Sequence, residues 1–265
     1  MQCQVQWLKM TFNYFELFAG AAMNKRFFLT FILLTSLPAL ADSINQPDVK
    51  AGDKWTYRIT REKGDTGWTQ TREDLWVNRV SSSAIYISSK ASGSSLAPKD
   101  SFATRDWGIV RQLGGAEVVT TRPFSFPLTV GKSWDVKFTD PHPANHISEQ
   151  WSVRYKVLGN EQVEVPAGKF NAMKVEAEGI WTGEGKPSLS VTQTITRDAS
   201  GTPSAANVVK SIPAGQMYSG RVYKAFWYVP EIKRWVKSVE EYYSSTGERN
   251  ARYTSELEQF TPASN

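Results

Sequence analysis

The stretch Trp151–Val157, with the sequence W-S-V-R-Y-K-V, alternates strictly between apolar and polar residues. Successive side chains of a β-strand point to opposite faces of the sheet, so this stretch would form a strand with one apolar and one polar face. Strands with one solvated face are typical of antiparallel sheets. The stretch therefore predicts an antiparallel sheet whose core lies on one side.

The same alternation recurs along the chain beyond residue 50. It is clear in Lys54–Thr60 and Ser133–Phe138, where the first apolar residue is a tryptophan. Further candidate strands are 75–80, 84–88, 109–113, 117–121, 162–165, 170–178, 190–197, 222–229, 234–243 and 252–260. The segment 198–213, rich in Ser, Ala, Gly and Pro, predicts a loop. Since no window has a long apolar repeat of 3.6 residues, the sequence predicts an all-β, antiparallel protein with few helices and a curved sheet or half-barrel.

Two segments of the chain, 49–60 and 128–139, resemble each other without a gap in their alignment. The identical positions are a glycine, a tryptophan and a threonine: Gly52 and Gly131, Trp55 and Trp134, Thr60 and Thr139. This internal duplication predicts two related β lobes at 47–122 and 123–262, with a proline-containing segment at their boundary. Chance convergence of a turn and a strand is the alternative, and the two lobes could also share one continuous sheet.

The segment 23–41 has the three parts of a secretory signal peptide. It has a basic head, the apolar run Phe27–Leu37, and small residues that suit cleavage after Ala41. A membrane anchor would need about 20 apolar residues, and this run is shorter. Signal peptides rarely carry 22 residues before their basic head, so we interpret 1–22 as an upstream extension from a mis-called start, with a real but unusual leader as the alternative. The leader predicts a periplasmic or secreted protein of the bacterial envelope, which meets the membrane only during export.

The composition argues against several classes of function. Cys3 is the only cysteine and precedes the predicted cleavage site, so the mature chain would have no disulfide, thiolate nucleophile or cysteine metal ligand. The net charge of +5 is small and both signs are interleaved, which argues against nucleic-acid binding. All but one of the ten tryptophans lie beyond residue 41. These side chains can form either a β core or an aromatic ligand-binding groove.

The motif Val165–Phe170, with the sequence V-P-A-G-K-F, predicts a tight turn between two strands. Pro166 suits the second position of a type I turn, and Gly168 suits the fourth. Such a turn fixes the register of the strands that it joins, so its expected role is structural.

Motifs for chemistry are scarce in this chain. His142 and His146 are the only histidines, and the prolines around them disfavour the helix that would align them as metal ligands. The glycine-containing segment 183–187 lacks the spacing of a phosphate-binding loop and predicts a hairpin turn instead. No G-x-S-x-G motif occurs, and neighbouring carboxylates on a strand face opposite sides. The sequence therefore predicts no catalytic residue, no metal site and no cofactor, and favours a protein that is not an enzyme.

The V-P-A-G-x-F hairpin at 165–170 is followed by the aromatic-proline segment Tyr228–Ile232 and the strand Trp235–Glu240. With these motifs, the region 126–262 resembles a family of uncharacterised bacterial secreted or periplasmic proteins with a β-rich domain of unknown function. The second motif often contains a glycine in that family, whereas this chain has none there. The resemblance implies an envelope protein with a curved sheet or half-barrel. It implies no functional residue, because the family has no assigned activity.

The candidate ligand-binding residues are five tryptophans: Trp68, Trp76, Trp151, Trp181 and Trp227. We expect them to line the concave face of the sheet, where an apolar or amphiphilic ligand, such as a lipid, or an envelope protein would bind. A carbohydrate-binding module is the alternative, and it requires several coplanar aromatic rings that face the solvent to hold a glycan. A hydrolase built from carboxylates on distant strands is a third hypothesis, and it requires buried acids with a raised pKa.

Overall fold

The computed structural model describes residues 43–64, 67–144, 146–197, 199–213 and 215–264. The predicted upstream extension and signal peptide lie outside these residues. The described part of the chain contains fourteen β-strands and one 3-10 turn, Pro230–Ile232, but no α-helix. Within the same ranges, no helix has the length and apolar character needed to cross a membrane.

The strands are numbered in chain order. Their bounds are β1 Lys54–Lys63, β2 Trp68–Val80, β3 Ala84–Ala91, β4 Lys99–Thr104, β5 Ile109–Leu113, β6 Ala116–Thr121, β7 Ser133–Asp140, β8 His146–Val165, β9 Gly168–Gly185, β10 Ser188–Arg197, β11 Pro203–Ile212, β12 Met217–Val229, β13 Arg234–Ser244 and β14 Arg249–Thr261. Twelve of them form one antiparallel sheet in the order β6-β5-β4-β3-β2-β1-β14-β13-β12-β9-β8-β7, and β10 and β11 form a separate ribbon. The prediction of an all-β, antiparallel protein is confirmed.

The sheet curves until its two edge strands, β6 and β7, face each other. Side chains bridge this seam: Trp134 Nε1 donates to the carbonyl of Arg122 at 2.9 Å, and Arg111 Nη2 lies 3.6 Å from Asp140 Oδ2. Among the described residues, the two edge strands share no backbone ladder. The sheet is therefore a nearly closed barrel, and we call its core side the inner face.

The duplicated segments form the same turn at the start of β1 and of β7. Gly52 N donates to Val77 O at 2.8 Å, and Gly131 N donates to Val157 O at 2.9 Å. Both glycines have a positive φ, +95° and +85°, which favours glycine at these positions. The two lobes stay a prediction, because their strands belong to one continuous sheet in which β14 pairs with both β1 and β13.

Aromatic side chains fill one end of the inner face. The rings of Trp55 and Trp107 meet edge to face at 5.4 Å, and Phe124 lies 4.8 Å from Tyr228. The segment around the 3-10 turn crosses this end and accepts three hydrogen bonds there. Trp55 Nε1 donates to Ile232 O at 2.9 Å, Trp107 Nε1 donates to Lys233 O at 2.8 Å, and Tyr57 OH donates to Trp235 O at 2.7 Å. We call this end of the barrel the closed end.

A buried arginine completes the closed end. The guanidinium of Arg234 lies 3.8 Å from the ring centroid of Trp235 and 4.9 Å from that of Trp107. Burial lowers the pKa of Arg234, and burial also raises the pKa of Tyr57 to about 12. Cation–π contact with the surrounding rings thus takes over part of the role that water has for an exposed arginine.

The turn between β8 and β9 reaches across the outer face. Val165 pairs with Gly168, so that Pro166 and Gly168 occupy the second and fourth positions of the turn. Ala167 N donates to Leu257 O of β14 at 2.9 Å, although β12 and β13 lie between β9 and β14 in the sheet. The hairpin therefore passes over β12 and β13, which explains why outward-facing residues such as Ala225 are buried.

Replacing Gly168 with valine is expected to lower the free energy of unfolding by about 1–3 kcal/mol. The φ of Gly168 is +132°, and a Cβ there would meet no atom within 4 Å, so the effect comes from backbone strain alone. Thermal unfolding of the variant beside Lys169→Val, on the next and exposed residue, measures this effect. Equal melting temperatures for the two variants would contradict the strain at Gly168.

Candidate functional site

Three of the five predicted tryptophans lie on the outer face of the barrel. Trp68 and Trp76 alternate with the inward residues of β2, and Trp68 is 66% exposed. Trp227 is buried on the outer face, where Lys174 Nζ lies 5.2 Å and Lys237 Nζ 5.9 Å from its ring centroid. These three side chains are not brought together and do not line the concave side.

The other two tryptophans meet on the inner face, away from the closed end. Trp151 and Trp181 are cross-strand partners on β8 and β9, with ring centroids 6.1 Å apart. Phe138 stacks on Trp151 at 5.7 Å, His146 lies 5.2 Å from Trp181, and Tyr218 lies 5.4 Å from His146. We call these five residues the aromatic row: Phe138, Trp151, Trp181, His146 and Tyr218. The row crosses four adjacent strands, β7, β8, β9 and β12.

Glycines lie directly beneath three rings of the row. A Cβ on Gly220 would stand 2.6 Å from Nε1 of Trp181, and one on Gly185 would stand 2.5 Å from the ring of Tyr218. A Cβ on Gly183 would stand 2.9 Å from the ring of His146. The absence of side chains lets these rings lie over the backbone, as aromatic residues do over glycines in other sheets. One side of each ring then covers the sheet, and the other side is directed toward the inner space.

A carboxylate is held within the row. Glu149 Oε2 accepts a hydrogen bond from Trp151 Nε1 at 3.1 Å, and its Oε1 lies 2.7 Å from His146 Nδ1. Both contacts hold the two rings in place on the inner face. His146 is thus held by Glu149 and belongs to the aromatic row. Among the described residues, no group of three or more His, Cys, Asp or Glu side chains is arranged to hold a metal ion.

A polar layer separates the aromatic row from the closed end. We define it as Lys224, Glu240, Thr121 and Tyr242. Lys224 is buried, and its Nζ lies 2.9 Å from Glu240 Oε2 and 3.1 Å from Thr121 Oγ1. Tyr242 OH donates to the same Glu240 oxygen at 3.0 Å, and burial together with Glu240 raises the pKa of Tyr242. The charge of Lys224 is thus matched within the layer, which forms the floor beneath the row.

A cavity of about 670 Å³ lies at the seam between β6 and β7. Its charged residues are largely paired, because Arg122 Nε lies 2.5 Å from Asp106 Oδ2 and Arg154 Nε donates to Asp135 Oδ1 at 2.9 Å. The second bond lowers the pKa of Asp135. In the aromatic row, four rings are half-buried and Tyr218 is exposed, so parts of the rings stay accessible, and we therefore take the row as the candidate site.

Sequence reasoning found two members of the row and missed three. Phe138, His146 and Tyr218 come from three different strands, and only the strand register brings them beside the two tryptophans. The glycines carry a signal that could have been used. The segment 183–187 was expected to be a hairpin turn, but Gly183 and Gly185 lie at the end of β9, so that expectation is wrong for them. Glycines at alternate positions of a strand indicate a close approach by another group, here an aromatic ring.

No protein-family model matches the chain, and no curated protein matches its sequence. Two solved structures match 83% of this chain and the whole length of their own. One is a proposed exported protein with a YmcC-like fold from Bacteroides fragilis, with 16% identity and a TM-score of 0.41. The other is a proposed lipoprotein from Parabacteroides distasonis, with 13% identity and a TM-score of 0.41. The function of this chain is therefore inferred from its own residues.

Proposed function

We propose that this chain is an exported binding protein that holds an apolar or amphiphilic ligand against the aromatic row. The observation that carries the proposal is the placement of three rings over glycines on the inner face, where the rings are half-buried or exposed rather than fully covered. The basic head and apolar run of 23–41 support export of the protein. The end of the inner face that carries the row, which we call the open end, is then the binding site. The closed end stabilises the barrel around it.

The dimensions of the row favour an extended ligand. Neighbouring strands lie about 4.8 Å apart, so rings on four adjacent strands span roughly 14 Å. An acyl chain or a flat ring system of that length could contact several rings at once. Burying one aromatic side chain against such a ligand contributes about 1.5–3 kcal/mol. Two or three such contacts contribute about 3–9 kcal/mol in total, whereas micromolar binding needs about 8 kcal/mol beyond the entropy cost of association. Tight binding therefore requires a ligand that contacts most of the row.

The carboxylates of the protein favour binding over the hydrolase hypothesis. That hypothesis requires acids with a raised pKa, whereas Glu176 and Glu256 have a lowered pKa. Burial is the largest single effect and raises the pKa of both groups, but their partners together outweigh it: Lys174 and Tyr223 around Glu176, and Arg58 and Lys237 around Glu256. Glu149, the acid of the row itself, is engaged by two ring nitrogens.

A glycan is the second candidate ligand, and one observation favours it. The planes of Phe138 and Trp151 differ by only 5°, and the carboxylate of Glu149 stands beside them as a hydrogen-bond acceptor. Parallel rings with a polar group at their edge suit the flat face and the hydroxyls of a sugar. An apolar chain would use the same rings without the carboxylate, so the two ligand classes are separable by experiment.

Replacing Trp181 with alanine is expected to weaken binding of a fluorescent fatty acid, 11-(dansylamino)undecanoate, by at least tenfold. The variant removes the central ring of the row, which corresponds to about 1.5–3 kcal/mol of lost contact. Fluorescence titration of the chain from Asp42 onward measures the affinity, with maltohexaose as the glycan probe. Trp68→Ala is the matched control, because Trp68 lies on the outer face.

Three results would decide the matter. Weaker dansyl-probe binding in Trp181→Ala alone supports the apolar site. Binding of maltohexaose in place of the dansyl probe, lost in Trp181→Ala, supports the glycan candidate. Binding of either probe that is equally strong in the wild type and in both variants would show that the aromatic row is not the site.

A further inference from the structure

The ribbon of β10 and β11 extends the barrel beyond the aromatic row. The pairing of β9 with β12 ends at Glu184 and Met217, and Gly185 N then donates to Gln216 O at 2.8 Å. From there β10 and β11 pair with each other over ten residues each, and with no other described strand. Ten residues of strand extend about 33 Å. The ribbon is thus a projection whose base lies next to Tyr218 of the row.

One face of the ribbon is apolar and exposed. Leu189, Val191 and Ile195 share a face with Val209, and their exposed fractions lie between 59% and 70%. One polar cross-strand pair, Gln193 and Asn207, interrupts this face. The opposite face carries Val208, which is 60% exposed, beside hydroxyl groups that include those of Thr192, Thr194 and Thr196, so it is the more polar of the two faces. Two-stranded ribbons are only marginally stable in water when nothing covers them. We therefore expect another surface to cover this apolar face.

The size of the apolar face argues against a protein as that surface. A ribbon about 33 Å long and roughly 10 Å wide offers approximately 330 Å² on one face. A stable protein interface buries about 800 Å² on each partner, so neither a second copy nor another protein would be held by this face alone. A lipid surface has no such requirement, because each apolar side chain that enters the acyl region contributes separately.

The charge of the segment suits an anionic lipid surface. Residues 186–216 include Lys186, Arg197 and Lys210, but only one acid, Asp198, and no glutamate. Basic residues near an anionic membrane strengthen binding to it. An apolar face combined with a small excess of positive charge is the pattern by which peripheral segments bind anionic membranes.

We propose that the β10–β11 ribbon docks on an anionic lipid surface through Leu189, Val191, Ile195 and Val209. Docking places the lipid surface at the open end of the inner face, next to the aromatic row. An amphiphilic ligand could then pass between the surface and the row without crossing open water, and this last step rests on the proposed function of the row. The docking itself depends only on the ribbon.

Vesicle flotation with the chain from Asp42 onward tests the proposal. We expect the wild type to float with vesicles of phosphatidylcholine and phosphatidylglycerol in a 3:1 ratio, and to float less with phosphatidylcholine alone. The double variant Val191→Glu/Ile195→Glu should bind these vesicles at least tenfold more weakly than the wild type. Its matched control is Thr192→Glu/Thr194→Glu, which adds the same charge to the opposite face and should keep most of the binding. Unchanged far-UV circular dichroism verifies that both variants are folded.

Several outcomes would overturn the docking proposal. The first is that the wild type does not float with the vesicles. The second is that both double variants lose vesicle binding equally, which would mean that the added charge alone causes the loss. A concentration-dependent dimer in sedimentation that only Val191→Glu/Ile195→Glu abolishes would assign the face to a second copy. Dansyl-probe binding without vesicles is measured on the same variants. If the probe does not bind but flotation persists, the docking stands and the ligand function of the row fails.

Discussion

Replacing Asp53 with alanine is expected to lower the free energy of unfolding by about 3–5 kcal/mol. The Asp53 side chain is fully buried and accepts two hydrogen bonds from Lys233 Nζ, at 2.9 and 2.8 Å. It also accepts one from the backbone of Lys50 at 2.8 Å and one from that of Ala263 at 2.9 Å. The variant would leave a largely buried ammonium and two backbone donors without their acceptor, which costs much more than the ion pair contributes.

Chemical denaturation of Asp53→Ala measures this loss, with Asp48→Ala as the matched control. The side chain of Asp48 is 81% exposed and lies 3.8 Å from Lys50 Nζ, so its removal should change stability by less than about 0.5 kcal/mol. A double variant, Asp53→Ala/Lys233→Met, removes both charges and should recover part of the loss. If Asp53→Ala behaved like Asp48→Ala, the buried network at the closed end would be refuted.

Replacing Trp55 with alanine is expected to lower the free energy of unfolding by about 3–5 kcal/mol. Its side chain is fully buried, meets Trp107 edge to face at 5.4 Å, and stacks on Phe260 at 5.4 Å. Its Nε1 also donates to Ile232 O, which ties β1 to the segment that closes the barrel. The cavity left by the indole would stand at the centre of the closed end, where its neighbours are themselves held by hydrogen bonds.

The contributions of packing and hydrogen bonding at Trp55 are separable. Trp55→Phe keeps an aromatic ring but removes the Nε1 donor, so the carbonyl of Ile232 loses its partner. We expect it to cost about 1–3 kcal/mol, less than alanine. Trp68→Ala, on an exposed tryptophan of the outer face, is the control and should change stability by less than about 0.5 kcal/mol. A larger loss in Trp68→Ala than in Trp55→Ala would contradict the placement of the core.

The fold class was predictable because most strands have one solvent-exposed, polar face. In β1, β7 and β8 the buried positions alternate as the sequence pattern indicates, with Trp55, Val136 and Tyr155 turned inward. The pattern fails where packing differs from a simple half-buried strand. In β12, residues on both faces are buried because the β8–β9 hairpin covers the outer face. The sequence of β12 alone does not indicate this contact, because it comes from a distant turn.

The segment 198–213 was predicted as a loop, and the prediction is wrong for ten of its sixteen residues. Residues 203–212 form β11, despite serines and alanines that have a weak preference for strands. Backbone pairing with β10 stabilises the extended conformation there, and this pairing is a property of two segments rather than one. The composition of a segment indicates only its own conformational preference, so it did not predict this strand.

The candidate site was predictable only in part. Trp151 and Trp181 were identified by their chemistry, and the structure places them side by side. Trp68, Trp76 and Trp227 could not be separated from them, since the face that a tryptophan occupies depends on register and on bulges in its strand, such as the one that inserts Val236 in β13. One bulge moves every later residue to the other face, and a single sequence does not show where bulges lie.

The position of β14 determines when the protein can fold. Lys54 at the start of β1 pairs with Thr261 at the end of β14, so the first half of the sheet gains its connection to the second half only from the last strand. During synthesis, β1 would keep one edge unpaired until nearly all later residues have been added. Pairings between such distant segments form slowly. An unpaired edge of this kind also exposes the chain to aggregation until β14 has been made.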